Sequence, residues 1–120
     1  MARILTVDDS PSMLKMVTVT LTVAGHSVAS AADGCLALAA ARTENFDLVV
    51  TDVNMPNMDG ITLVRELRKL LSYRHVPLLI LTTEATAERK DQGRKAGATG
   101  WLVKPFNPEK LLAIIAKVLS

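Results

Sequence analysis

The chain has 120 residues, 49% of them hydrophobic and 22% charged, with a formal net charge of +2. That length and apolar content suit one compact domain with a full core. The basic residues are scattered apart from a short cluster at Arg89, Lys90, Arg94 and Lys95, and no basic stripe interleaved with aromatics marks a nucleic-acid surface.

Residues 4–7 form a strand-length apolar run, and two adjacent carboxylates, Asp8 and Asp9, follow at once. Ser10 is placed to cap a helix with Pro11 near its first position; Met13, Met16, Val17, Thr20, Leu21 and Ala24 supply a stripe at i, i+3, i+4 spacing, and Gly25 stops it. A second strand, 27–31, is the least apolar and is expected at an edge of the sheet. Asp33 is placed to cap a helix running through Leu36, Leu38, Ala39 and Ala40. The third strand, 48–51, leads into Asp52, and Asp59 or Gly60 starts a helix carrying Ile61, Val64, Leu67 and Leu71. The fourth strand, 78–81, leads into Thr82. A helix is expected over 83–96, weakened by Gly93, which costs about 1 kcal/mol relative to alanine. The fifth strand, 101–103, leads into Lys104; Asn107 caps the last helix, with Pro108 at its first position and a stripe of Leu111, Ile114, Ile115 and Val118.

Most of these strands are rich in leucine and β-branched residues and lack clear alternation, as strands do when a parallel sheet buries them on both faces. Five repeats of strand then helix predict an α/β fold with a doubly wound, five-stranded parallel sheet. Ligands of such sheets bind beyond the carboxyl ends of the strands, at a topological switch point. No segment reaches the ~18 apolar residues of a membrane span, no signal peptide is visible, and the single Cys35 cannot form an internal disulfide. No linker, repeat or low-complexity tract interrupts the chain, so the expectation is one domain over 1–120 with no output domain, cytoplasmic and monomeric.

The residues just after the strands are therefore the place to look for chemistry. Asp8, Asp9, Asp52, Thr82 and Lys104 all stand there. Singly each has a plain structural use: a helix cap, a strand-end hydroxyl, a solvated charge. Together they suit phosphoryl transfer. Three clustered carboxylates repel one another unless a divalent cation sits among them, and Mg²⁺ takes an octahedron of oxygens from few carboxylates, waters and phosphate. A carboxylate such as Asp52 can be the nucleophile and form an acyl phosphate. Lys104 and the Thr82 hydroxyl can meet charge developing on the transferred group.

The motifs "VDDS", "TDVNMPNMDG", "LTTEA" and "GATGWLVKPF" resemble those of the receiver domain of two-component response regulators, over essentially the whole chain. The absence of an output domain makes it most similar to stand-alone, CheY-like chemotaxis receivers. The resemblance implies a flavodoxin-like sheet in the order 2-1-3-4-5 and phosphorylation of Asp52 by a histidine kinase or a small phosphodonor. It implies Mg²⁺ held by Asp9, Asp52 and the backbone carbonyl of Asn54, with Asp8 acting through a water. It gives Lys104 and Thr82 contacts to the phosphoryl group, a cis Lys104–Pro105 bond, and the aromatic switch position to Trp101. Asn54 and Glu84 fall at the positions that tune water access to the acyl phosphate, and they resemble the fast-resetting type. The usual output face, helix 4 to strand 5 to helix 5, would meet a flagellar motor switch or another protein target, and the kinase would be CheA-like. Leu112 and Leu119, beside Lys110 and Lys117, read as an extra apolar strip on the last helix fit for an acidic amphipathic partner.

Rival functions fit less well. A haloacid-dehalogenase-type phosphatase would need a carboxylate two positions after the nucleophile, where this chain has Asn54, which cannot serve as general acid or base. An FMN binder would need a neutral phosphate loop after the first strand, and "DDSPSM" repels phosphate; aromatic content is 3%. A phosphate sink or a regulator outside motility shares the same site and differs in partners.

Overall fold

The computed structural model describes residues 1–120. Strands β1 (Arg3–Val7), β2 (Ser27–Ala31), β3 (Leu48–Thr51), β4 (Leu78–Thr82) and β5 (Gly100–Val103) alternate with helices α1 (Pro11–Val23), α2 (Gly34–Thr43), α3 (Gly60–Arg68), α4 (Ala87–Ala96) and α5 (Pro108–Leu119). All pairings are parallel, and the strand order is β2-β1-β3-β4-β5. This is the expected α/β doubly wound, flavodoxin-like arrangement, and β2 lies at the edge as its weaker apolarity predicts.

Side chains alternate across each strand, and here both faces are covered. Leu5, Val49, Leu78 and Ile80 enter one core beneath α2 and α3, which add Leu38, Leu63, Val64 and Leu67. Ile4, Leu48, Val50, Leu79 and Leu81 enter the other, against Val17 and Leu21 of α1 and Leu111 and Ile115 of α5. The continuous apolar runs of the central strands are the sequence record of this two-sided burial.

The caps follow the sequence. Ser10 accepts from the Met13 N–H, Asp33 from Leu36, Asp59 from Thr62, and Asn107 from Glu109 and Lys110, each side chain satisfying amides that a helix start leaves unpaired.

Some expectations need correction. Helix α4 starts at Ala87 with Thr86 as its cap, leaving Thr83 in a loop; the Thr86 side chain accepts from Arg89 N–H and fixes the start there. Helix α3 stops at Arg68, and Leu71 falls in a 3-10 turn (Leu71–Tyr73) where it is 77% exposed. The Arg68 guanidinium enforces that stop by donating to the carbonyls of Tyr73, Val76 and Gly97. Met16 and Leu36 point outward from their helices. Leu112 and Leu119 are half-buried against the α1–α5 core, so they are not a free strip for a partner.

Candidate functional site

Strands β1 and β3 are neighbours, and the chain order reverses between them because β2 lies on the far side of β1. Their registered last residues, Val7 and Thr51, place Asp8, Asp9 and Asp52 at one rim. One carboxylate oxygen from each of these three lies within 4.8 Å of the others. Asp8 is buried, Asp9 is exposed, and the Asp52 side chain is 12% exposed.

Lys104 closes the site from β5. Its Nζ donates to Asp8 Oδ2 at 2.6 Å and to Asp52 Oδ2 at 3.2 Å, and its backbone N–H donates to the Thr82 carbonyl at 2.8 Å. The Lys104–Pro105 peptide is cis. Burial pushes the Asp8 carboxyl up, against the hydrogen bonds it accepts from Lys104 and Ser10. Burial pulls Lys104 down, but the hydrogen bond to Asp8 and the charges of Asp52 and Asp8 outweigh it and hold the ammonium above its ordinary range. One cation thus faces three carboxylates, which leaves net negative charge for a further cation.

The donor set fits Mg²⁺. All candidate ligands are oxygens, which a hard cation requires, and the Asn54 carbonyl accepts no hydrogen bond from the protein. Asp52 Oδ1 accepts from the Val53 N–H at 2.7 Å, which orients the carboxylate.

Thr82 is the last residue of β4 and is fully buried, and its hydroxyl accepts from the Glu84 N–H at 3.2 Å. The hydroxyl makes no hydrogen bond to Asp52 or Lys104. Trp101, one strand over, is half-buried and its Nε1–H donates to the Glu84 carbonyl at 2.9 Å. The β4–α4 loop is therefore held by both residues, one at each side of Glu84's peptide groups.

Sequence reasoning missed why a glycine stands at position 93 inside α4. A Cβ there would lie 2.7 Å from the Trp101 ring, so the glycine makes room for the indole. It also missed a side-chain contact of Asp33, which bonds Asn57 in the β3–α3 loop as well as capping α2. No local pattern signals either one, because each joins distant elements.

These features define a class, a metal-assisted phosphoacceptor domain, and comparison with known proteins places the chain within it. The chain belongs to the response regulator receiver family: the family model for the response regulator receiver domain matches residues 4–116. Protein PilH of Pseudomonas aeruginosa is 39% identical over 120 residues, covering 100% of this chain and 99% of PilH. The structure of the chemotaxis protein CheY4 of Vibrio cholerae superposes with a TM-score of 0.94 at 51% identity, covering 98% of each chain. The receiver domain of the sensor histidine kinase PA1611 of P. aeruginosa, solved with magnesium in its active-site cleft, gives a TM-score of 0.92 at 30% identity over 98% of this chain and 97% of that one. A receiver domain is a phosphoacceptor signalling module of two-component systems rather than an enzyme with its own substrate, and its phosphodonor is a histidine kinase. The cluster of Asp8, Asp9 and Asp52 is typical of the receiver Mg²⁺ site. No helix is long and apolar enough to cross a membrane.

Proposed function

We propose that the chain is a chemotaxis-type response regulator that accepts a phosphoryl group on Asp52 and reports it through Trp101 to a protein partner. The observation that carries this is the Lys104 ammonium bonded to both Asp8 and Asp52 beside Asp9. Asp9, Asp52 and the Asn54 carbonyl would hold Mg²⁺, with Asp8 reached through a water. When bound, the cation supplies charge neutralisation for the approaching phosphoryl oxygens.

An Asp52 carboxylate oxygen attacks phosphorus, forming the new P–O bond of an acyl phosphate as the P–N bond to the donor histidine breaks. The departing imidazole keeps the electron pair and takes up a proton. Lys104 then pairs with the phosphoryl group in place of the carboxylate alone. Thr82 turns its hydroxyl from the Glu84 amide to the phosphoryl oxygens. That releases one of the two holds on the β4–α4 loop, and Trp101, bonded to the Glu84 carbonyl on the other side of that residue, responds.

The readout falls on α4, β5 and α5. There a groove of about 460 Å³ includes Ala87, Lys90, Arg94, Ala98 and Trp101 in its walls, with the indole forming part of its surface. Asn54 is exposed two residues beyond Asp52, and Glu84 is half-buried across the rim; polar residues at both places admit water, which favours a short-lived acyl phosphate.

The test uses acetyl phosphate with Mg²⁺, mass spectrometry and the fluorescence of Trp101, the single tryptophan. The parent is expected to gain one phosphoryl adduct and change its emission. Asp52→Asn is expected to do neither, and Lys104→Ala to lose the emission change even where an adduct forms. An adduct on Asp52→Asn, or a parent-like emission change in Lys104→Ala, would overturn the scheme.

A further inference from the structure

The β3–α3 loop carries Asp52 and Asn54, and helix α2 holds its far end. The two oxygens of Asp33 have different tasks there. Oδ1 accepts from the Leu36 N–H at 2.8 Å and caps α2. Oδ2 accepts from the Asn57 side-chain amide, also at 2.8 Å. Asp33 is 8% exposed, while Asn57 reaches it from the exposed face of the loop.

Asn57 is the one non-glycine residue with positive φ, at 68°, a conformation asparagine tolerates better than most side chains. Beside it the Gly34 N–H donates to the Met58 carbonyl at 3.3 Å. A Cβ at position 34 would stand 2.6 Å from that oxygen, so the two backbones meet where no side chain fits. The near end of the loop is closed by the Gly60 N–H on the Val53 carbonyl at 2.8 Å, and Met55 and Met58 pack on the core beneath. Between these anchors Asn54 is exposed and its carbonyl is free of protein donors.

We propose that Asp33 and Asn57 form a latch that positions the β3–α3 loop from helix α2, so that the Asn54 carbonyl is set in advance as a ligand for the divalent cation. The proposal rests on reading the Asp8, Asp9 and Asp52 cluster as that cation's site. Neither latch residue touches the cation or the phosphoryl group; both act through the loop. Mg²⁺ demands near-ideal octahedral geometry, so a carbonyl left to wander costs affinity even when all carboxylates are in place. The amides of Leu36 and Asn57 hold the Asp33 carboxyl below its ordinary range, so both oxygens stay acceptors to lower pH than those of a free aspartate.

Two variants of the full chain separate the latch from a plain helix cap. Asn57→Gly suits the positive φ and removes the amide donor, with some added backbone freedom that the reversed pair below does not share. Asp33→Asn/Asn57→Asp reverses donor and acceptor, keeps a capping side chain at 33 and conserves net charge. Mg²⁺ affinity is read by calorimetric titration, and loop order by amide hydrogen exchange between residues 53 and 59. Asn57→Gly is expected to bind Mg²⁺ about 2- to 10-fold more weakly, the range of one hydrogen bond, with faster exchange in the loop. The reversed pair is expected to bind within about twofold of the parent. Parent-like Mg²⁺ affinity in Asn57→Gly, or a reversed pair weaker than Asn57→Gly, would overturn the latch while leaving the cation site standing. A parent that takes up no Mg²⁺, and whose Asp9→Asn variant behaves identically, would overturn the cation site and the latch with it.

Discussion

Gly93 and Trp101 are a matched pair, and the indole's place decides what phosphorylation can move. The ring lies over the glycine, and its N–H is committed to the Glu84 carbonyl, an indole being a donor only. A methyl group at position 93 acts in two opposed ways. It improves helix propensity by about 1 kcal/mol, and it places Cβ 2.7 Å from the ring, overpacking that costs ~1–3 kcal/mol. Strain wins because α4 is fixed at both ends, by the Thr86 cap and by Arg68 on the Gly97 carbonyl, and cannot withdraw. Gly93→Ala is expected to lose up to about 2 kcal/mol in urea unfolding, with Trp101 emission shifted to the red as the ring moves toward solvent. A more stable variant with unchanged emission would show that the ring has slack. Helical pattern alone marks Gly93 as a defect; its use is visible only when β5 is laid beside α4.

At the scale of elements, Tyr73 ties α2, β3 and the 3-10 turn together. Its hydroxyl donates to the Glu44 carbonyl at 2.6 Å and accepts from the Phe46 N–H at 3.2 Å. The backbone that leaves α2 and enters β3 therefore finds its partners on a side chain 27 and 29 residues away, as buried peptide groups must. Tyr73→Phe leaves both groups unpaired and is expected to cost ~1–3 kcal/mol at neutral pH. Burial pushes the Tyr73 phenol up. With the folded value above the unfolded one of about 10, the contribution is complete below pH ~10 and disappears as pH rises through the folded value. The stability gap between parent and Tyr73→Phe is thus expected to narrow in urea unfolding at alkaline pH. A gap constant from neutral pH to well above 10 would contradict the burial of the hydroxyl. The start of α4 teaches the same lesson about legibility. The expected helix began at Thr83, and the later start behind the Thr86 cap follows from the loop that Thr82 and Trp101 hold at Glu84.

Across the whole molecule, the doubly wound sheet brings three carboxylates and one ammonium to a single rim, an arrangement that costs stability until a cation neutralises it. A ligand that binds the native state alone stabilises it by ~2.7 kcal/mol at a hundredfold excess over Kd. Thermal unfolding of the parent is expected to shift upward with Mg²⁺ by this rule. Asp9→Asn is expected to match or exceed the parent without Mg²⁺, because it relieves repulsion, and to fall below it at saturating Mg²⁺. A parallel Mg²⁺ response in both would remove Asp9 from the cation site. The succession of elements, most of their caps and the identity of the rim residues can be read along the linear chain, because apolar spacing, cap chemistry and the residue after each strand are local properties. Its resemblance to receiver domains supplied the strand order. Tertiary structure alone decided that Lys104 reaches Asp8 across 96 positions, that Gly93 receives the indole, and that the second oxygen of Asp33 holds Asn57. Those contacts depend on the register of strands and the placement of helices over the sheet, and no local pattern encodes the distance between residues that meet only after the chain has closed on itself.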